Sequence, residues 1–246
     1  MRELFQLILT QPLYNIFVLL YNYIPDVGVV IVLITIAIRL ALYPLTSTSI
    51  KSQKSLTDLQ PKLEALKKQH AGDQQKIAQE TMRLYRENKV NPFSSCLPLL
   101  VQLPVLIAFY YVLRLALTTE SLSLLYSFVK NPEVITTRTL GLFELGEPSL
   151  VLAVLAGAAQ FVQAKMFSSK RPPAKAGTGA KDENMMAMMN KNMTYFMPIM
   201  TVFIGFQLPA GLTLYWLVST ALTALQQVVV FQQQKKASIA GEIVKG

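Results

Sequence analysis

Apolar positions along this 246-residue chain gather in long blocks instead of alternating with polar ones. A helix crossing about 30 Å of hydrocarbon needs roughly 20 apolar residues. Five blocks come close: Val27–Leu45, Leu97–Leu117, Ser149–Phe167, Thr194–Leu208 and Gly211–Gln232. The fourth is short. Pro209-Ala210-Gly211 between the last two has turn composition and predicts an antiparallel helical hairpin. Residues 4–24 are apolar but broken by Gln6, Gln11, Pro12, Asn15 and Asn22. They are expected to lie on the outer leaflet, with Tyr14, Tyr21 and Tyr23 at headgroup level, rather than form a sixth span. The pattern predicts an all-α polytopic membrane protein with five transmembrane helices, an N-terminal interfacial helix and a cytoplasmic helical hairpin.

With flanking residues, the expected organisation is an interfacial segment 1–26 and spans at 27–45, 93–118, 149–167, 193–208 and 211–233. Between them lie the hairpin 46–92, an extracellular connection 119–148, a flexible cytoplasmic loop 168–192 and a basic tail 234–246. In the hairpin, Leu56, Leu59, Leu63 and Leu66 form one apolar stripe, Ala71-Gly72-Asp73 breaks it, and Ile77, Leu84 and Tyr85 supply a second. Pro61 is expected to bend the first helix or to sit near a helical start. The loop carries Lys170-Arg171-Pro172-Pro173 and Gly177-Thr178-Gly179, and seven of the ten methionines fall between Met185 and Met200. Such a Met-rich stretch suits either an adaptable surface for varied apolar clients or an ordinary helix entering the membrane.

Composition sharpens this. Charged residues make up only 15% and mean hydropathy is +0.38, which excludes disorder. The net charge is nevertheless +9. Lys and Arg number nine in 46–92, five in 168–192 and three from Lys235 onward, against two in 119–148, none in the last turn and Arg2 alone at the start. Alternate connections thus hold 17 on one side and 3 on the other, which places the N-terminus outside and the C-terminus in the cytoplasm. The basic excess is therefore a topology signal and not a nucleic-acid footprint. A single cysteine, Cys96, and a single histidine, His70, leave no disulfide, Cys cluster or His-pair metal site within one chain. No metal and no cofactor are expected. No removable signal peptide is expected either.

Arg39 stands well inside the first block, about 18 Å along it at 1.5 Å per residue. A cation at that depth is costly and marks a functional-site hypothesis. Thr35, Arg39, Tyr43 and Thr46 share one face of a continuous helix. No Asp or Glu occurs in the five blocks, so Arg39 lacks an internal ion-pair partner; snorkelling to the interface is the bland alternative. In the last block Thr213, Trp216, Thr220, Thr223 and Gln227 form a polar stripe, and Gln160 and Gln163 share a face in the third. These residues describe either a hydrated groove around one cation or polar packing between helices.

The segments RLALYPLT (39–46), LQPKLEALKKQH (59–70), NPFSSCLPLLVQLPVLIAFYYVL (91–113) and LPAGLTLYW with ALQQ (208–216, 224–227) resemble the YidC/Oxa/Alb family of membrane protein insertases, in its short five-span form. The resemblance covers nearly the whole chain. It implies a hydrophilic groove containing Arg39, open to the cytoplasm and lipid and closed on the outer side. It also implies client contact by Thr35, Tyr215 and Trp216, with Thr220 where the family often carries Asn. The implied partners are nascent membrane proteins, the ribosome, the Sec translocon and targeting machinery, and the phospholipid bilayer, with no sequence-specific nucleic-acid binding. Lys51, Lys54, Lys62, Lys67, Lys68, Arg83 and Arg86 on the hairpin and Lys235 and Lys236 on the tail are the candidate docking cations; a solvated hairpin resting on anionic headgroups is the plainer reading.

Three other classes compete. A small-solute transporter or channel would use the same groove, but no internal repeat is present. An intramembrane enzyme lacks paired carboxylates or a Ser/His pair in the spans. A purely structural assembly factor has no need of an unpaired arginine.

Overall fold

A computed structural model describes residues 2–91, 97–116, 124–141, 143–167 and 192–243. The fold is that of an all-α polytopic membrane protein. Helix α1 (Arg2–Phe5) continues through a π turn at Gln6–Thr10 into α2 (Gln11–Tyr23), and α3 (Val27–Ala41) and α4 (Tyr43–Gln69) follow. Then come α5 (Gln74–Glu87), α6 (Leu97–Ala116), a two-residue β1–β2 pair (Arg138–Thr139, Phe143–Glu144), α7 (Leu150–Phe167), α8 (Met197–Gly205) and α9 (Ala210–Ile243). Among the described residues three helices are long and apolar enough to cross a membrane, at Glu3–Tyr23, Leu150–Phe167 and Ala210–Lys236. The bent pair α3–α4 passes that test jointly, and Leu100–Ala116 and Thr194–Gly205 are shorter apolar helices. Much of the Met-rich stretch lies outside the described residues, as does Cys96.

The expected continuous helix through Thr35, Arg39, Tyr43 and Thr46 is divided. It bends by 69° between α3 and α4, at Leu42. Pro44 is the cause: it has no N–H to give the Leu40 carbonyl, and its ring presses on that turn. By contrast, α4 runs through Pro61 without a break in assignment.

The N-terminal helix packs one face on the bundle and leaves Leu4, Leu7, Ile8 and Ile16 exposed on the other. Phe17 and Val18 are fully buried, and Tyr14 and Tyr21 are buried with them; of the three tyrosines named from sequence, Tyr23 alone is strongly exposed. Gln11, Asn15, Tyr21 and Asn22 have protein partners, whereas the buried Thr10 hydroxyl has none among the described residues. Gln11 and Asn15 donate to the Leu124 carbonyl (3.1 and 2.9 Å), and the Tyr126 N–H donates to Asn15 Oδ1 (2.7 Å). The Thr136 N–H donates to the Tyr21 hydroxyl (2.9 Å), and Asn22 donates to the Lys130 carbonyl (2.8 Å). Three of the residues that broke the apolar pattern, Gln11, Asn15 and Asn22, thus help to hold the connection 124–136.

Helix α7 sits between α8 and α9 and brings small residues to both. Ala153 and Ala156 are fully buried, and a Cβ on Gly157 would meet the Pro198 carbonyl oxygen at 2.9 Å. Small residues permit this close backbone approach where no hydrophobic effect separates helix from lipid. The β1–β2 pair closes the opposite end of α3. Asp26 caps α3 by accepting from the Val29 N–H (3.0 Å), and also accepts from the Leu140 N–H (2.7 Å) and the Thr139 hydroxyl. Gly28 lies directly beneath Thr139, where any side chain would collide. Farther along, the Glu147 and Leu145 carbonyls accept from the Ala210 and Gly211 N–H groups (both 2.9 Å), satisfying the start of α9.

Partial desolvation pushes the Asp26 carboxyl up, but the hydrogen bonds from Leu140, Thr139, Val29 and Gly28 outweigh it and hold the group below its ordinary value. A lowered native value means the carboxylate stabilises the fold above its unfolded pKa of about 3.9 and loses that contribution as pH falls through the native value. Asp26→Ala is expected to cost about 0.5–2 kcal/mol at neutral pH. The gap to wild type should close below about pH 4 in thermal denaturation followed by circular dichroism.

Candidate functional site

The bend at Leu42 leaves Arg39 in the last turn of α3, facing α6 and α9. Its Nε donates to Ser219 Oγ (3.0 Å) and its Nη2 to Gln102 Oε1 (2.9 Å) as well as to Ser219 Oγ. The Gln102 amide in turn donates to the Tyr215 hydroxyl (2.7 Å). Tyr215 is buried and stacked on Phe109, with ring centroids 4.3 Å apart. Helices α3, α6 and α9 thus meet on one guanidinium. Among the described residues its partners are neutral oxygens, and no carboxylate lies in ion-pair range. The cation is solvated by the protein without being neutralised. An anion brought here would find an uncompensated charge in surroundings of low dielectric.

The cleft beside Arg39 is narrow, about 10 Å³, close to the room of one water molecule. Thr35 and Ile38 wall one side, Val101, Gln102 and Val105 the second, and Tyr215 and Ser219 the third. Thr35 is buried and donates to its own Ile31 carbonyl (2.6 Å).

At the α4 end stands a second polar knot. Gln226 is buried, and its amide donates to the Tyr43 carbonyl (3.1 Å), Thr46 Oγ1 (2.8 Å) and Ser47 Oγ (2.9 Å). This clamps the first turn of α4 to α9, directly after the bend.

The structure brings together Thr35, Arg39, Thr46 and Tyr215 of the residues singled out from sequence. Tyr43 is half exposed, and only its carbonyl joins the Gln226 knot. Gln160 accepts from Thr201 (2.8 Å) between α7 and α8. Thr213 donates to the Gly205 carbonyl (3.0 Å) across the α8–α9 turn. Thr223 donates to the Ser219 carbonyl (2.8 Å); Thr220 is also buried, and Gln227 is buried with its carbonyl oxygen unpaired. Gln163 and Trp216 are half-buried and do not line the cleft. Sequence reasoning missed Gln102, Ser219 and Gln226. Gln102 had a signal, as an amide alone within an apolar run. Ser219 and Gln226 lie one position away from the stripe chosen on α9, a rotation of about 100° that periodicity cannot distinguish.

The candidate docking cations cluster away from this cleft. Lys51, Lys62, Lys68, Arg83, Arg86, Lys235 and Lys236 are exposed, while Lys54 and Lys67 are half-buried. Lys54 pairs with Asp58, and Arg83 with Glu87 (2.8 Å). No residue of α5 is buried, so the distal arm of the hairpin stands clear of the bundle core. Its chain reversal uses Gly72 at φ 95°, followed by Asp73, which accepts from the Lys76 N–H (3.0 Å) as the cap of α5.

A model of the 60Kd inner membrane protein family matches residues 19–237. The chain belongs to this family. Its relatives include the membrane protein insertase YidC of Fusobacterium nucleatum subsp. nucleatum, 37% identical over 86% of this chain and 89% of that protein. YidC of Oceanobacillus iheyensis is 34% identical over 82% of this chain and 73% of its own length. YidC of Aeromonas hydrophila is 33% identical over 94% of this chain, which spans only 37% of that longer protein. Among solved structures, an active YidC insertase crystal structure with the first transmembrane domain resolved superposes with a TM-score of 0.57 at 25% identity, covering 87% of this chain and 44% of that one. The family expected from the sequence motifs is thus the one found. In this member of the YidC family, Gln226→Leu should leave Thr46, Ser47 and the Tyr43 carbonyl without their amide donor. The expected cost is about 1–3 kcal/mol in thermal unfolding, with faster hydrogen exchange confined to the start of α4.

Proposed function

We propose that this chain is a membrane protein insertase, which receives nascent membrane proteins from the cytoplasm beside Arg39 and releases their transmembrane segments sideways into lipid. The observation that carries this reading is the guanidinium held by Gln102 and Ser219 with no counter-charge. A cation so placed is costly, and neutral hydrogen bonds stabilise it while leaving its field available. An acidic client tail at about 4 Å would gain about 4 kcal/mol at an effective dielectric near 20, against about 1 kcal/mol in water. The apolar segment behind the tail then partitions into hydrocarbon, gaining roughly 25 cal/mol per Å² buried. Partitioning drives the step without a nucleotide. The cleft opens by parting α3, α6 and α9, whose contact at this level is the Arg39 network, so an arriving carboxylate replaces Gln102 and Ser219 as the partner.

The remaining parts follow in the same reading. Five spans run from an outer N-terminus to a cytoplasmic C-terminus, with the excess of Lys and Arg inside. The hairpin α4–α5 and the basic tail meet the ribosome, and the Sec translocon and targeting machinery are further partners. The short helix α8 thins the bilayer locally and shortens the path of the polar tail.

Two measurements test this. In liposomes, Arg39→Ala should reduce insertion of a small client with an acidic outer tail, while Arg39→Lys retains much of it. Undiminished insertion of every client by the Ala variant would sink the groove-charge mechanism, and Arg39-dependent solute flux without insertion would replace it with transport. Separately, removal of residues 52–88 should leave a folded protein that inserts poorly; normal insertion would make the hairpin dispensable.

A further inference from the structure

A second cavity, sharing no lining residue with the Arg39 cleft, lies where the β1–β2 pair folds over the start of α3. It is about 290 Å³ and is walled by Val29, Val32 and Leu33 of α3, Phe143 of β2, Leu152 of α7 and Leu214 of α9. The hydroxyl on its wall, Thr139, is already donated to Asp26. Among the described residues, no other side chain lining it carries a polar group. Water needs two to four polar partners and finds none here, and leaving such a volume empty forfeits the contacts of every wall atom. The occupant the walls call for is hydrocarbon.

The position of the cavity names its source. Leu33, Leu140 and Phe143 at its edge are exposed, and so are Leu150 and Val151 just beyond. The cavity is therefore continuous with the apolar belt of a polytopic membrane protein. Val29 to Leu33 begin about one helical turn below Asp26, so the cavity lies immediately inside the level marked by Asp26 and the exposed Arg138. We infer that this cavity is a binding site for one phospholipid acyl chain from the leaflet on the β1–β2 side, its headgroup remaining outside the strand pair. The site is preformed: the Asp26 bonds to Thr139 and Leu140 hold the roof, and Gly28 lets it settle on α3. Because the walls are apolar, recognition is of the chain and not of the headgroup.

The test uses the full chain in phosphatidylcholine vesicles, with or without phosphatidylglycerol. A trace of phosphatidylcholine carries a diazirine at the end of one acyl chain. After irradiation, adducts mapped by mass spectrometry should fall on Val29–Leu33 and Phe143 several-fold more often than on Val162, an exposed position of α7. The excess should be the same in both vesicle types. Val32→Trp or Leu214→Phe, each filling the cavity, should abolish it while labelling of Val162 persists. The wild-type ratio decides the matter even if a filled variant fails to fold. Labelling equal to that of Val162, or an excess unchanged in a folded filled variant, would overturn the assignment. An excess that requires phosphatidylglycerol would overturn it in favour of headgroup recognition. Loss of the lipid adduct on adding an apolar transmembrane peptide, with the peptide crosslinked in its place, would assign the cavity to a polypeptide segment instead.

Discussion

A guanidinium inside an apolar bundle has to be solvated by something, and here it is solvated by three helices. Arg39 on α3 draws Gln102 of α6 and Ser219 of α9 to itself, and Gln102 extends the chain of hydrogen bonds to Tyr215. Hydrogen bonds to a charged group contribute more than neutral ones, and leaving the charge bare would cost more still. The cleft is therefore both a structural joint and a charged site. The chemistry that closes it is the chemistry an incoming carboxylate would take over.

Around this joint the structure divides into ends of different character. At the end nearer α4, the bend at Pro44 turns the chain out of the bundle, and Gln226 clamps the turn. Beyond it the hairpin keeps the Ile77, Leu84 and Tyr85 face of α5 half-buried and exposes the other face with most of its cations. At the other end, the connection 124–148 is tied to α2 through Asn15 and Tyr21, to α3 through Asp26, and to α9 through Leu145 and Glu147. At the first end Gln226 is joined by buried Thr46, Ser49 and Ile50, so side chains make the joint; at the other, backbone groups supply most of the partners.

The small-residue seam of α7 serves the same division. Ala153, Ala156 and Gly157 let α8 and α9 approach closely, so α9 is fixed along its N-terminal half by packing. Farther along, the polar contacts of Ser219 and Gln226 add to the packing of Phe231 on Phe167. The apolar cavity under the strand pair belongs to the packed end, where its walls stay in place.

Much of this was legible in the chain itself. Block length and apolar content determined a helical membrane protein, because backbone groups in lipid must be satisfied within the segment. The absence of Asp and Glu from the blocks marked Arg39 as unpaired before any partner was visible. The motifs at 39–46, 91–113 and 208–227 determined the family. Other features depended on partners far away in sequence. Gln102 lies 63 residues from Arg39 and Ser219 lies 180. Helical periodicity sets which residues share a stripe but not which stripe turns toward a given neighbour. The stripe Thr213–Gln227 was therefore visible in sequence, yet the residues that reach Arg39 stand one position away from it. Likewise Asn15 and Asn22 read as interruptions of an apolar helix until the connection 124–136 supplied their hydrogen bonds. The sequence by itself determined where polar groups enter the apolar bundle; only the tertiary structure decided their partners, because the azimuth of each helix is set by all its neighbours at once.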